Sequence, residues 1–278
     1  MKLILTFFIC IFLFTSCKKK SNPTSFEVKE YPLDSGTVWN YDIKYETYNF
    51  RPIVQGATHQ DRTYHFSAKV IDSGEVVLPN GVRSHNFVET FQVEQGQPFV
   101  SHNYYVQRND SLLLVAYRGG SQVAPKQNVT YSFQYKKKNF SSVDELVQYL
   151  FVSEYFNKEA SLKFDSLMFP SNPIPVIVFP LKKGKRWEIH NGDIFSIRKV
   201  IDVEVLKIDS LYYYASKIQK YINGDTLDQS ITLYDWFGTQ GLMKRSITVK
   251  NIAISDEQHP DGFGYIDIKE EFNLTSFK

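Results

Sequence analysis

The chain has 278 residues, with 32 Lys and Arg against 30 Asp and Glu, and 15% of its residues are aromatic. The charge is nearly balanced and neither half is markedly basic, which argues against nucleic acid as a partner. A chain of this length can bury a sizeable core, either as one β domain or as two smaller ones.

The first sixteen residues are typical of an export signal. Their apolar run from Leu3 to Phe14 is too short to cross a bilayer as a helix. The run closes on LFTSC, which resembles the lipobox of bacterial lipoproteins, with Phe14 where Leu is usual. The resemblance implies cleavage before Cys17, which is then diacylated through its sulfur and acylated on its amine. The alternatives are an ordinary secreted protein cut near Ser16, or a chance cysteine.

Cysteine usage favours the lipoprotein interpretation. Cys10 lies within the signal, so Cys17 is the only thiol from residue 17 onward. If Cys17 is acylated, the chain from residue 17 onward has no thiol left for an intramolecular disulfide, a thiolate metal site or a cysteine nucleophile. Several acyl chains, at roughly 0.8 kcal/mol per buried methylene, would make such an anchor effectively permanent.

Residues 17–30 are interpreted as the lipidated cysteine and a flexible tether, because KKKSNPTSFEVKE is charged and lacks apolar periodicity. The three lysines are either a solvated charge run or a weak contact with anionic head groups. Lys18 stands where an Asp would signal inner-membrane retention in bacterial lipoprotein sorting, so the analogy implies the outer membrane. It does not choose between the periplasmic and the surface-facing leaflet.

Alternation of apolar and polar residues dominates the rest of the chain. It is strict from Trp39 to Tyr45 and recurs at 64–70, 129–135 and 201–205. A strand with one apolar, buried face and one polar, solvent-exposed face is typical of antiparallel sheets that are covered on a single face. Turn sequences follow at hairpin spacing: DSGE at 72–75, LPNG at 78–81, RND at 108–110, NGD at 223–225 and HPDG at 259–262. The predicted fold class is all-β, with antiparallel curved sheets or incomplete barrels.

One segment, residues 141–156, predicts a helix. Apolar residues recur there at i, i+3, i+4, i+7 and i+8 from Val143, and Ser142 with Glu145 forms a capping box. We expect a short amphipathic helix that packs against a sheet face or a barrel end. Its polar face carries acids rather than lysines, which disfavours a membrane-surface helix.

One motif occurs twice in the sequence. YPLDSGTVW at 31–39 and FPLKKGKRW at 179–187 share the aromatic residue, Pro-Leu, Gly and Trp at the same spacing, and Lys-Val-Ile-Asp occurs at 69–72 and at 199–202. The tetrapeptide offset of 130 also relates Tyr104 to Tyr234. A tandem duplication explains both, although the motif can also be simply a good way to begin a strand.

The duplication predicts the domain organisation. The expected segments are a signal peptide at 1–16, the lipidated cysteine and tether at 17–30, a first β unit at 31–138, a helical insertion and linker at 139–178, and a second β unit at 179–278.

Residues for catalysis, cofactor binding or metal binding do not assemble in the sequence. The zinc-protease, nucleophile-elbow and phosphate-loop motifs are absent, so we expect neither an enzyme nor a cofactor. His59, Asp61 and His65 are the tightest metal-capable cluster, but a strand would place the first two about 7 Å apart. The acidic run at 256–261 lacks EF-hand spacing and is typical of a solvated turn. No metal site is predicted.

Four sites have the pattern Asp-Ser/Thr-Leu. They are Ser111, Ser166, Ser210 and Thr226. The pattern resembles the O-glycosylation acceptor of exported Bacteroidota proteins, and it also suits hairpin turns. The two interpretations are compatible, since an acceptor must be exposed.

Over most of its length the chain resembles a group of secreted Bacteroidota lipoproteins. The resemblance rests on the aromatic-Pro-Leu-x-x-Gly-x-x-Trp motif and on WFGTQGLMK at 236–244. The first half departs from the second pattern, because Ser111 replaces its Gly. The resemblance implies two related β units and supplies no established activity.

Three functions are compatible with these features. The leading hypothesis is a membrane-anchored, non-enzymatic binding module for an apolar, lipid or glycan ligand, which five aromatic residues would contact: Tyr104, Tyr105, Tyr212, Tyr213 and Tyr214. The alternative for these residues is burial on both faces. The second hypothesis is a structural or assembly lipoprotein that pairs with an outer-membrane protein through a strand edge. A hydrolase is disfavoured, because no catalytic pair of an acid and a base can be recognised in the sequence.

Overall fold

The computed structural model describes residues 26–92, 98–119, 132–135, 138–140, 166–191, 194–222 and 230–278. Every regular element in these ranges is a β-strand. The strands are β1 (Val38–Pro52), β2 (Arg62–Val77), β3 (Arg83–Gln92), β4 (Phe99–Arg108), β5 (Ser111–Gly119), β6 (Ser132–Tyr135), β7 (Lys138–Phe140), β8 (Ile174–Val178), β9 (Arg186–Asn191), β10 (Ile194–Ile208), β11 (Leu211–Ile222), β12 (Ile231–Gly238), β13 (Gly241–Ser255) and β14 (Gly264–Phe277). The helix predicted at 141–156 lies outside the described residues.

Twelve of these strands form one antiparallel sheet that is nearly closed into a barrel. Their order is β8-β5-β4-β3-β2-β1-β14-β13-β12-β11-β10-β9. The hairpin of β6 and β7 attaches to β13 beyond this path. The prediction of an all-β, antiparallel, barrel-like fold is therefore confirmed.

The alternation predicted for β1 is confirmed by burial. Trp39, Tyr41, Ile43 and Tyr45 are each at most 6% exposed, whereas the polar residues between them face the wetter side. The same inward side continues on the neighbouring strands, where Ile268 of β14 and Val249 of β13 are buried. The inward faces of the strands thus form the core.

Side chains bridge the seam at which β8 and β9 meet. The indole Nε1 of Trp187 donates to the carbonyl oxygen of Pro175 at 3.2 Å, and the guanidinium of Arg198 donates to the carbonyl oxygen of Val176. A backbone bridge between Val28 and Leu181 lies beside them. Because strand edges left unpaired tend to recruit other chains, these contacts protect the two ends of the sheet.

The chain segment before β1 crosses one end of the barrel. Tyr31 is half-buried there, with its ring 5.9 Å from that of Phe87 and 6.3 Å from those of Trp39 and Phe237. Its backbone N–H donates to Oε1 of Gln107 at 2.9 Å. Burial raises the pKa of the Tyr31 hydroxyl well above its ordinary value. The aromatic residue that opens the first motif therefore packs against the core.

The two motif copies form the same turn. Thr37 N donates to Asp34 O at 3.0 Å, and Lys185 N donates to Lys182 O at 3.0 Å. The glycines at the third position, Gly36 and Gly184, have φ of 92° and 91°. A positive φ at this position defines a type II turn and favours glycine. Each turn leads into a strand whose Trp is buried, although the Phe179–Pro180 bond is cis in the second copy.

Most of the predicted turns that lie in the described residues are confirmed. LPNG joins β2 to β3, RND joins β4 to β5, and HPDG joins β13 to β14. NGD at 223–225 lies outside the described residues. The prediction of a hairpin turn at DSGE is wrong, because β2 continues through it. The pairing register shifts between Asp72 and Glu75, and Gly74 has φ of 98°, so this sequence forms a β-bulge.

Candidate functional site

A layer of charged side chains lies on the inward faces of the strands. It consists of Glu89 of β3, Arg198 of β10, Lys220 of β11, Asp235 of β12 and Arg245 of β13. Strand register places them inside the barrel. Asp235 pairs across strands with Arg245, two residues from the pair formed by the buried Leu233 and Ile247. We call these five residues the charged layer.

Asp235 is the centre of the layer and is only 1% exposed. One of its carboxylate oxygens accepts a hydrogen bond from Nε of Arg245 at 2.8 Å, and the other lies 2.6 Å from Nζ of Lys220. Burial alone would raise the pKa of Asp235. The charges and hydrogen bonds of Arg245 and Lys220 outweigh burial and hold that pKa well below its ordinary value. Asp235 is therefore a stable anion between two cations.

Lys220 is the titratable member of the layer near neutral pH. Burial lowers the pKa of its ammonium to about 7, against the attraction of Asp235. Arg245 and Arg198 add to the lowering, and Arg198 pairs directly with Lys220 across strands β10 and β11. The group of Lys220, Asp235 and Arg245 thus has a net charge of +1 when Lys220 is protonated, and of zero when it is neutral.

Glu89 interacts with Arg245 from another part of the sheet, since β3 and β13 are not neighbours. Burial raises the pKa of Glu89, while the charge of Arg245 and hydrogen bonds from Ser101 and Asn103 oppose the rise. The hydroxyl of Ser101 donates to a carboxylate oxygen of Glu89 at 3.3 Å. The layer therefore joins non-adjacent strands of the barrel by electrostatic attraction.

Solvent reaches the charged layer although its members point inward. The Arg245 side chain is 33% exposed and that of Lys220 is 15% exposed. Phe272, which pairs with Arg245 across strands, is also only partly buried. A molecule from solution can therefore contact part of both charged side chains.

Apolar clusters lie on both sides of the charged layer. One fills the barrel around Ile252, Ile254, Ile266 and Phe263, all of which are at most 2% exposed. The other side holds Trp39, Phe87 and Tyr31. The charged groups thus lie between two apolar levels, an arrangement in which an amphiphile could place its head at the charges and its body along the apolar side chains.

The five predicted contact aromatics do not form one surface. Tyr104 is buried in a small cluster with Leu78 and Val115, and Tyr105 packs edge-on against Phe87 with ring centroids 5.2 Å apart. Tyr213 of β11 is half-buried. The other two β11 tyrosines, Tyr212 and Tyr214, are 71% and 41% exposed, respectively.

The other predicted site residues are dispersed. Ser166 and Ser210 are exposed, and Ser111 begins β5 and is half-buried. Cys17 and Thr226 lie outside the described residues. His59 lies in the loop before β2, with its ring 5.6 Å from that of Phe50. Among the side chains that the structure describes, no three His, Cys, Asp or Glu residues are grouped so as to hold a metal ion.

No family model matches the chain, and no curated protein or solved structure matches it either. Within the described parts of the chain, no helix has the length and apolar character needed to cross a membrane.

The charged layer was missed at the sequence level, although a signal for it was present. In ITLYDWFG of β12, Ile231 and Leu233 are alternate apolar residues, and the same alternation predicts an apolar residue at position 235, where the chain has Asp. Arg245 breaks the alternation of Ile247 and Val249 on β13 in the same way. A charge at an inward position marks a special site, but its partners depend on strand register.

Proposed function

We propose that this protein is a lipid-anchored, non-enzymatic binding module of the bacterial outer membrane, and that its barrel binds a lipid-like ligand with an anionic head. The observation that supports ligand binding is the solvent-reached charged layer between two apolar clusters. The lipid anchor is supported by the lipobox-like sequence before Cys17 and by the absence of any later cysteine.

An anionic head fits the layer because cations are in excess at its accessible part. Asp235 neutralises only one of the two cations that contact it when Lys220 is protonated. A guanidinium has five N–H donors, and two donors to Asp235 come from Nε and one terminal nitrogen of Arg245. The partly exposed remainder of the group can bind a carboxylate or phosphate oxygen.

We also propose that the barrel arose from two related β units. The support is the shared turn geometry of the two motif copies. Gly36 N donates to Asp72 O of β2, and Gly184 N donates to Val200 O of β10, so each turn is bonded to the strand after the one that it opens. The two acceptors lie two positions apart within the repeated Lys-Val-Ile-Asp. Pairing with an outer-membrane protein through a strand edge has less support, because β8 and β9 face each other at the seam.

Arg245→Met tests the ligand proposal, with Lys244→Met as its matched control. Lys244 is the adjacent residue on the opposite face, where its Nζ lies 5.3 Å from the Trp236 ring centroid and 3.4 Å from Glu271. The protein is stripped of bound lipid and titrated with a fluorescent fatty acid and with its uncharged methyl ester. We expect Arg245→Met to weaken binding of the acid by tenfold or more, since a hydrogen bond to a charged group contributes about 1.5–3 kcal/mol.

Binding of the ester should change little in Arg245→Met, which also shows that the variant is folded. Lys244→Met should bind both probes as the wild type does. The acid should bind more weakly as the pH rises through 7, because Lys220 then loses its proton and the accessible charge falls. Failure of the wild-type protein to bind either probe, or equal losses in the two variants, would refute the proposal.

A further inference from the structure

The tip of the β10–β11 hairpin concentrates exposed apolar side chains. The described residues expose eight large apolar or aromatic side chains, and four of them lie here: Val205, Leu211, Tyr212 and Tyr214. The remaining four come from four different strands or loops. Such a concentration marks a surface that contacts another apolar phase. Val205, Tyr212 and Tyr214 share one side of the hairpin with Lys207, and we call these four residues the hairpin face. Leu211 pairs with Ile208 and projects from the other side of the hairpin at its tip.

The hairpin face is held open by the packing of the opposite side of the hairpin. Val205 pairs with Tyr214, and Lys207 pairs with Tyr212, so these four side chains share one side. The alternate residues Tyr213 and Ile208 pack into the core, and the Tyr213 ring lies 5.8 Å from that of Phe277. This packing fixes the orientation of the hairpin, so its other side stays exposed to solvent.

The hairpin face lies beside the point at which the chain leaves toward Cys17. The ring of Phe26, the first described residue, lies 5.6 Å from the ring of Tyr214. Phe26 follows Cys17 by nine positions in the sequence. At 3.3–3.6 Å per residue, nine residues span at most about 32 Å. An acylated Cys17 would keep the hairpin face within that distance of the bilayer surface.

The composition of the hairpin face suits the boundary between lipid head groups and acyl chains. Tyrosine has an apolar ring and a polar hydroxyl and is enriched at membrane interfaces. Lys207 can extend its ammonium to phosphate groups while its stem lies along the apolar surface. Asp209, in the turn, is the single acidic residue in 205–214. A lipid surface therefore matches both the apolar area and the charge.

We propose that the hairpin face lies on the membrane in which the protein is anchored, with Val205, Tyr212 and Tyr214 inserted at the head-group boundary. This inference rests on the lipid anchor of the proposed function. The contact orients the barrel, because two attachments, the acylated Cys17 and the hairpin face, fix its tilt relative to the bilayer.

Tyr212→Trp tests the proposal, with Tyr265→Trp as its control. Tyr265 is 38% exposed at the start of β14, away from the hairpin. The native Trp39, Trp187 and Trp236 are buried and give the same background in both variants. The full-length variants are produced through the export pathway with labelled palmitate and are reconstituted into phosphatidylcholine vesicles with or without bromine atoms on the acyl chains. We expect brominated lipid to quench the added Trp of Tyr212→Trp and to leave that of Tyr265→Trp unquenched.

The outcomes separate the inference from the proposed anchor. Palmitate incorporation together with quenching confined to Tyr212→Trp supports the inference. Incorporation with no quenching, or with equal quenching in both variants, overturns the inference and leaves the anchor intact, whereas no incorporation refutes both. A blue shift of the Tyr212→Trp emission that depends on protein concentration in the absence of lipid would assign the face to a second copy of the chain. A glycan on Ser210, detected by peptide mass, would also overturn the proposal, because it would hold Tyr212 away from the bilayer.

Discussion

Replacement of Asp235 by Asn should destabilise the protein strongly at neutral and lower pH. The substitution keeps the shape of the side chain but leaves Lys220 and Arg245 without their shared counter-charge. Removal of one partner from a buried ion pair costs about 3–5 kcal/mol. Arg245 is 33% exposed, so solvent screens its part of the loss, and we expect a value near the lower end, about 3 kcal/mol.

Urea unfolding followed by the fluorescence of the buried tryptophans measures this loss. At an m value of about 3 kcal/mol/M, the midpoint for Asp235→Asn should fall by about 1 M. The loss should be larger at pH 6 than at pH 9. At pH 6 the folded protein must bury a protonated Lys220 without its partner or remove its proton, whereas at pH 9 Lys220 is neutral in both folded proteins, since its pKa is already lowered to about 7.

Asp202→Asn is the matched control, because it makes the same chemical change in an exposed pair. Asp202 lies 3.0 Å from Lys183, and the two side chains are 46% and 68% exposed. Its midpoint should stay close to that of the wild type. In the Asp235→Asn background, Lys220→Met should restore part of the lost stability by removing the unpaired charge. A midpoint for Asp235→Asn equal to that of Asp202→Asn would refute the electrostatic account of the layer.

Two further predictions concern the turns and the seam. Gly36→Ala and Gly184→Ala should each lower the free energy of unfolding by about 1–2 kcal/mol, because a left-handed backbone is strained for alanine. No atom lies within 4 Å of the added Cβ at either position, so backbone strain is the only cost. Unfolding midpoints that differ widely between the two variants would contradict the shared turn geometry. Trp187→Phe should cost about 1–3 kcal/mol, because the carbonyl oxygen of Pro175 loses its donor across the seam. Hydrogen exchange should then accelerate in Ile174–Val178, and unchanged protection there would show that Trp187 does not hold the seam.

Local features of the fold could be predicted from the sequence, because their causes are local. The alternation from Trp39 to Tyr45 reflects a strand with one buried face, and the turn at LPNG reflects the conformational limits of Pro and Gly. The hairpin turn predicted at DSGE was wrong for a related reason. A G1 β-bulge and a type I′ or II′ hairpin turn both place a residue at positive φ, and the glycine at position 74 suits either one.

Strand partners and the charged layer could not be predicted in the same way. Alternation shows which face of a strand is buried but not which strand lies beside it. The contact between Asn40 and Ser276 joins residues 236 positions apart, and no local pattern encodes it. Asp235 was visible as a charge at an inward position, but only the register of β11, β12 and β13 shows that Lys220 and Arg245 are its partners.

The pairing of β1 with β14 has a consequence for the order of folding. The strand that follows the first motif has β2 on one side and the last strand of the chain on the other, with Trp39 opposite Phe277. When the chain emerges from its amino-terminal end, one edge of β1 therefore stays unpaired until β14 is available. An unpaired strand edge promotes aggregation over that whole interval, so we expect the yield of folded protein to depend on chaperones.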